Sequence, residues 1–436
     1  MPTPLVLFDD DSPWLSPLND LRASFLVRTG ALTTLERWRA LAPGVGMTLV
    51  GVRPSERLRA LTLENEGVKA AAADGGADAG VGEVVFVNGR CVMPPAVLAG
   101  LGVGTALVAS GPGSDGETVV ATKLSGAEAW ALLSSLALPA SVRRVACEDA
   151  RVLHRPWDVI RHRDACLDED LKLLAPLVDP SPERELGATP AAQHDFDPRT
   201  GQSRGTAGQH RGTCVNEAHV HIHLSAKISP GVILDAEGGP IVIDENAVIR
   251  PGVIIVGPAY IGRGSTILER ALIKAHTAIG PMCKVAGEVG GTIFQGYANK
   301  GHDGHLGDSW VGEWANFGAG TTNSNLLNTY AEVIATALAP GASRERTGIQ
   351  YLGCIVGDHT KFAILTRIMT GSVFGTGCMV ATAAAPPTCV PALSWLTDER
   401  TQPYRFSKFL EVAKTVMARR KVVPSEAYVE AVKGLA

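Results

Sequence analysis

The chain has 436 residues, and its 40 basic against 44 acidic side chains leave a net charge of -4 at pH 7. That balance offers no surface for a polyanion, so nucleic acid is not an expected partner. Eight cysteines without a CxxC pair argue against a disulfide framework and for packed, reduced thiols in the cytoplasm. The opening MPTPLVLFDDD has no basic segment leading into a long apolar run, so a secretory signal is not expected. Two uncharged stretches, 91–114 and 368–397, are broken by Gly and Pro, and no membrane span is expected from either.

In chain order, LVLF at 5–8 predicts a buried first strand running into Asp9, Asp10 and Asp11. A helix is predicted over 31–41, strands over 84–87 and 118–121, and a helix over 127–136. Strands alternating with helices predict an α/β layer domain over 1–178. Such a domain binds nucleotide at the carboxyl ends of its strands or is a plain α/β module. Neither GxGxxG nor GxxxxGK[ST] follows the first strand to decide between them. Residues 179–216, rich in Pro, Gly, Ser, Thr, Gln and Arg, predict a flexible linker. The HVHIH run then puts His219, His221 and His223 on one strand face, as a metal site or, more simply, a strand covering an open sheet edge.

Residues 217–400 carry a period of six. Ile243, Ile249, Ile255, Ile261, Ile267, Ile273, Ile279 and Val285 are successive anchors, each followed four places on by a small or slim residue such as Ala247, Ser265 or Cys283. Helices repeat every three or four residues and strands every two; a strict six marks a parallel β-helix of three short strands per coil. The rhythm returns at Val356, Phe362, Ile368, Phe374 and Val380. Val285 to Val311 is not a whole number of sixes, which predicts a segment looped out of the coils there. In the last segment, 401–436, Phe406, Phe409, Leu410, Ala413 and Met417 fall on one helical face. Arg419, Arg420 and Lys421 follow, complementing a helix dipole or reaching an anionic cofactor. Pro424 opens a short final helix.

The most polar stretch is 296–328. It supplies a candidate base in His302, a cation in Lys300, amides in Asn299, Asn316 and Asn325, and the phenol of Tyr297. Loops on a rigid scaffold are where such groups do chemistry.

GHDGHLGDSWVGEWANFGAGTTNSN within that stretch resembles the acetyltransferase half of the bifunctional UDP-N-acetylglucosamine pyrophosphorylase and glucosamine-1-phosphate N-acetyltransferase family. His302 stands five residues before the glycine of Leu306-Gly307-Asp308, and Asn316 to Thr321 fits the family's Asn-hydrophobe-Gly-Ala-Gly-Thr run. Asn325 falls where the family has a second substrate amide. The chain is more similar still to an alternative bacterial branch, through TGIQYLGCIVGDHTK at 347–361, MARR at 417–420, LFDD, Arg22, Arg28-Thr29-Gly30, LTTLERW, Asn88-Gly89-Arg90 and Pro156-Trp157-Asp158.

The resemblance implies an N-terminal sugar nucleotidyltransferase-like domain, a left-handed β-helix and a homotrimer holding acetyl-CoA between subunits. His302 would take a proton from the amine of a sugar phosphate before it attacks the thioester, a task suited to an imidazole. Lys300, Arg250 and Lys274 would meet the sugar phosphate, and Arg344, Arg346 and Lys361 the CoA phosphates. In the N-terminal domain, Arg22, Arg28, Gly30, Asn88 and Arg90 are the nucleotide-binding candidates, for UTP in a uridylyl transfer, with Asp9 or Asp10 holding Mg²⁺. The family's LAAGxGTRM loop is missing, and the alternative is an acetyltransferase whose first domain only binds nucleotide or regulates. Left-handed β-helices also host three-histidine zinc sites, for which His276, His302 and His305 would serve, although a spacing of three between the last two does not match that family's five. A non-catalytic scaffold is the remaining reading.

Overall fold

The computed structural model describes residues 2–65, 67–71, 82–112, 116–135, 138–178 and 212–436, with two short strands at 196–197 and 202–203. The remainder of the predicted linker up to 211 lies outside the described residues.

The N-terminal region is a six-stranded mixed sheet of β1 (Thr3–Phe8), β2 (Met47–Arg53), β3 (Val84–Asn88), β4 (Thr105–Ser110), β5 (Glu117–Leu124) and β6 (Arg143–Ala146), in the order β2-β1-β3-β5-β4-β6. Around it lie α1 (Thr34–Leu41), α2 (Arg59–Leu63), α3 (Gly126–Ser135), α4 (Asp158–Arg161) and α5 (Arg163–Val178). Thr33 and Glu36 start α1 with a reciprocal capping box, which satisfies two of the backbone N–H groups a helix start leaves unpaired. α1 and α5 are tied by a fully buried pair, Arg37 Nε to Asp170 Oδ1 at 2.7 Å.

From Thr213 onward, short parallel strands stack into three long sheets, as in a β-helix. That first strand, Thr213–Val215, falls inside the span predicted as linker. The anchors distribute as the period requires. Ile243, Ile261 and Ile279 pair in register on one face, while Ile249, Ile267 and Val285 do so on the second. Ile255 and Ile273 pair on the third. All eight are fully buried, and the slim residues that follow them are buried too.

The break in rhythm is not a looped-out segment. Ala278 pairs with Ile293 and Lys284 with Asn299, so that coil is shortened to 15 residues; Ile293 then pairs with Trp310 in a coil of 17. Tighter corners absorb the missing residues and every strand keeps its ladder. The excursion comes later, between Trp310 and its partner Ile355, and contains a hairpin of Ile334–Ala335 with Glu345–Arg346.

The first face is apolar on both sides. Its outward residues Val242, Tyr260, Ala278, Ile293, Trp310, Ile355 and Val373 join one cluster with Leu15, Leu18, Val27, Leu153, Trp157, Leu167 and Leu171 of the N-terminal region. Each such side chain contributes roughly 1.5–3 kcal/mol on burial, so the two halves meet in a core-like seam rather than a hinge. On the second face, α6 (Phe406–Ala418) and α7 (Glu426–Lys433) bury Phe409, Ala413 and Val432 with Leu21, Leu58 and Leu393. Pro424 precedes the Ser425 cap instead of opening the final helix. Among the described residues, no helix is long and apolar enough to cross a membrane.

Candidate functional site

His302 is exposed at the corner where the second face, ending at Lys300, turns into the third at His305. It lines an open cavity with Leu268, Arg270, Asp303, Ile364 and Leu365. Lys300 departs from expectation. Its Cα pairs with Val285, at a position where other coils hold an inward anchor, and the residue is 1% exposed. Its ammonium donates to the carbonyls of Ala286 at 3.1 Å and His302 at 2.9 Å. The shortened coil has turned a cation expected to meet the sugar phosphate into a brace inside the wall. Gly287, at φ +74°, makes room for it: a Cβ there would lie 3.0 Å from both the ammonium and the His302 carbonyl.

Burial lowers the Lys300 ammonium to about 8. A depressed amine favours the folded state when neutral, so its contribution is present above the ordinary value of 10.5 and lost as pH falls through about 8. Stability should therefore rise from pH 8 to 10.5, by an amount of the order of 3 kcal/mol for this group. Lys300→Met should flatten that rise in denaturant titrations at several pH values. An unchanged slope would show that the group titrates normally.

Tyr297, Asn299, Asn316 and Lys361 come together elsewhere, in a groove of about 450 Å³ between the second face and α6. Its floor is a ladder of outward residues on successive rungs: Lys284, Asn299, Asn316 and Lys361. Asn299 Nδ2 donates to Asn316 Oδ1 at 2.7 Å, and Tyr297 stacks on Trp314 with ring centres 4.4 Å apart. Lys361 donates to the Trp314 carbonyl, and burial lowers it to about 8. Arg419 and Arg420 close the groove from the end of α6. Sequence reasoning offered those two as dipole partners or cofactor contacts and passed over Lys284 and Trp314. The signal was there: the residue just before an inward anchor faces out, and reading it coil by coil spells the groove floor.

The third face gathers another set. Glu288 Oε1 lies 3.4 Å from His305 Nδ1 and 3.2 Å from Lys274 Nζ. Asn325 donates to Asp308 at 2.6 Å, and Asp308 holds Arg163 at 2.7 Å. A Cβ on Gly307 would meet both His305 Nε2, at 2.6 Å, and Asn325 Nδ2, at 2.7 Å, so the two side chains converge over that glycine. His276 sits 3.2 Å from Asp164. No three His, Cys, Asp or Glu side chains gather to hold a metal among the described residues.

The other cations lie apart. Arg250 pairs with Glu269 at 2.8 Å. Arg344 and Arg346 sit in the excursion, away from Lys361, with Arg346 3.7 Å from Glu332.

Two of the nucleotide candidates face the seam. Arg22 is buried between Asp358 at 2.8 Å and Glu313 at 3.5 Å. Burial works against its charge, yet the two carboxylates hold it above its ordinary value. Arg28 donates its backbone N–H to Gln295 Oε1 at 2.8 Å, and its carbonyl accepts from Trp310 at 3.1 Å. Gly30 packs on α5, where a Cβ would meet Asp170 Oδ2 at 2.5 Å; it serves helix packing. The first strand therefore leads into a loop spent largely on the seam, which the N-terminal pattern alone did not reveal.

Asp10, Asn88 and Arg90 do come together, at the carboxyl ends of β1 and β3. Asn88 donates to Asp10 Oδ2 at 2.9 Å and Arg90 pairs with the same oxygen. Asp9 is fully buried, accepts from the Ser24 hydroxyl at 2.7 Å, and is raised by burial. Asp9 Oδ2 and Asp10 Oδ1 are buried oxygens without a hydrogen-bond partner. They are the hard donors Mg²⁺ takes, and one or two carboxylates suffice where water and phosphate complete its shell.

No curated protein matches the chain. Residues 5–176 match the model of the sugar nucleotidyl transferase family, so the N-terminal region is sugar nucleotidyl transferase-like.

Proposed function

We propose that this is a two-part enzyme of sugar-nucleotide synthesis. Its coiled half transfers an acetyl group from acetyl-CoA to an amino-sugar phosphate with His302 as general base, and its N-terminal half forms the UDP-sugar. The observation carrying the first activity is the corner geometry: an exposed imidazole beside an open cavity, on a turn whose carbonyl is held from inside by Lys300. With the turn fixed this way, the exposed imidazole is available to take the amine proton as the nitrogen attacks. The exposed Ile364 and Leu365, 67% and 69% accessible beside His302, offer an apolar wall to the acyl donor or a neighbouring subunit. A left-handed coil and a trimer belong to this reading. For the N-terminal half, the family match and the Asp10–Asn88–Arg90 cluster support nucleotidyl transfer. Asp9 and Asp10 would hold a Mg²⁺ there, which supplies charge neutralisation on the phosphates.

A second reading exchanges the two imidazoles. His305 has what His302 lacks, a carboxylate facing one ring nitrogen, with Lys274 and Asn325 close by. The test of the main proposal is thiol release from acetyl-CoA across a panel of amino-sugar phosphates, run beside pyrophosphate release from UTP and a sugar 1-phosphate. Thiol release that depends on one amino sugar is expected. No release with any member would end the acetyl-transfer reading.

A further inference from the structure

The ion pair between Arg163 and Asp308 crosses the seam, as that of Arg22 does, but it does not end inside it. Arg163 is the first residue of α5, in the N-terminal region. Its side chain, 11% exposed, donates to the Gly291 carbonyl at 2.6 Å and to Asp308 Oδ1 at 2.7 Å. Gly291, at φ +56°, leaves the room: a Cβ there would lie 2.5 Å from both Arg163 Nη1 and Asp308 Oδ1. The second oxygen of Asp308 accepts from Asn325 Nδ2 at 2.6 Å, and Asn325 is only partly buried, beside the third face.

Each link of this chain has a fixed polarity. A guanidinium only donates, and an ionised carboxylate only accepts. Asp308 is therefore met by the NH2 of Asn325, which turns the carbonyl oxygen of that amide away from it. Among the described residues this oxygen has no hydrogen-bond partner. Gly290 and Gly307 pair in register beneath, so the floor there is bare backbone. Lys274 lies over the first glycine, and His305 and Asn325 converge over the second. A salt bridge that only fastens the seam would end at Asp308. This one decides which atom of a surface amide a ligand meets.

We propose that Arg163 is a positioning residue of the acetyl-acceptor site, contributed by the N-terminal region to the coiled half. Acting through Asp308, it presents Asn325 Oδ1 as an acceptor to an N–H or O–H group of the amino sugar beside His305. The inference rests on the acetyl-transfer reading and holds whichever imidazole is the base. It makes the acceptor site incomplete without α5.

Steady-state thiol release by the full chain tests it, with the amino-sugar phosphate and acetyl-CoA varied in turn. Arg163→Ala should raise the Michaelis constant for the amino sugar about tenfold, the scale of one hydrogen bond to a buried or charged group left unmade. Turnover should fall less, and the Michaelis constant for acetyl-CoA should not move. Asn325→Ala should match it, and Arg163→Ala/Asn325→Ala should be no worse than Asn325→Ala, because the arginine acts through the amide. Arg163→Lys keeps a donor for Asp308 and should recover part of the loss. Asp308→Asn covers the case in which Arg163→Ala does not fold. It is isosteric, and asparagine tolerates the left-handed backbone at this position, φ +44°. Arg163 holds the oxygen of the new amide, so its NH2 faces Asn325 and reverses the surface amide; the amino-sugar constant should rise as in Arg163→Ala. Unchanged amino-sugar constants in Arg163→Ala and Asp308→Asn, even with a lowered unfolding temperature, would make the pair a fastener and overturn the inference while acetyl transfer stands. Losses at Arg163 and Asn325 that multiply in the double variant would overturn it too. No thiol release by the parent with any amino sugar is a different result, which removes the acetyl-transfer reading and this inference with it.

Discussion

His302→Ala is expected to slow acetyl transfer roughly 10²-fold or more, the scale set by removing a general base, while pyrophosphate release by the N-terminal half stays unchanged. The ring projects from the wall and packs against nothing that holds the fold, so the variant should unfold at the parental temperature. His305→Ala is the companion measurement. If His305 only contributes to binding, its loss raises the Michaelis constant more than it lowers turnover. If instead His302→Ala turns over normally and His305→Ala does not, the base is the imidazole facing Glu288.

Arg22→Ala should be the most destabilising single change at the seam. It leaves Asp358, itself raised to about 6 mainly by burial, without its cation. Losing one partner of a buried ion pair costs about 3–5 kcal/mol. Asp358 also accepts from the Glu313 backbone at 2.6 Å, so the turn beside Trp314 should loosen with it. Denaturant unfolding of Arg22→Ala, Asp358→Asn and the double variant would measure the coupling. The double variant should recover much of the loss, because neither charge is then stranded. Purely additive effects would mean the pair is not what joins the halves.

Much of the architecture was legible because it depends on a local rule. An anchor every sixth residue can be read without knowing what stacks above it, and Ile243 to Val285 stack as that rule requires. The apolar face of α6 is equally local, whereas the helix expected from residue 31 begins only at Thr34, behind the Thr33 cap. The same rule misled where coil length changed: a polar lysine in a polar stretch read as a ligand contact, when a 15-residue coil had turned it inward.

The chain's own letters determined the coil and the α/β region before it, since periodicity and backbone preference act over a few residues; the segment read as a loop around His302 is a corner of a shortened coil, which only the strand pairing decided. Only the tertiary structure decided which cations stay free. Arg22 and Arg28 look like Lys361 and Arg420 in a sequence; pairing with Asp358, and a hydrogen bond from Arg28 Nε to the Gln295 carbonyl, commit the first pair to the seam, while the groove leaves the second without a carboxylate. Charge pairing and desolvation depend on neighbours hundreds of residues away, and the linear order does not encode those distances.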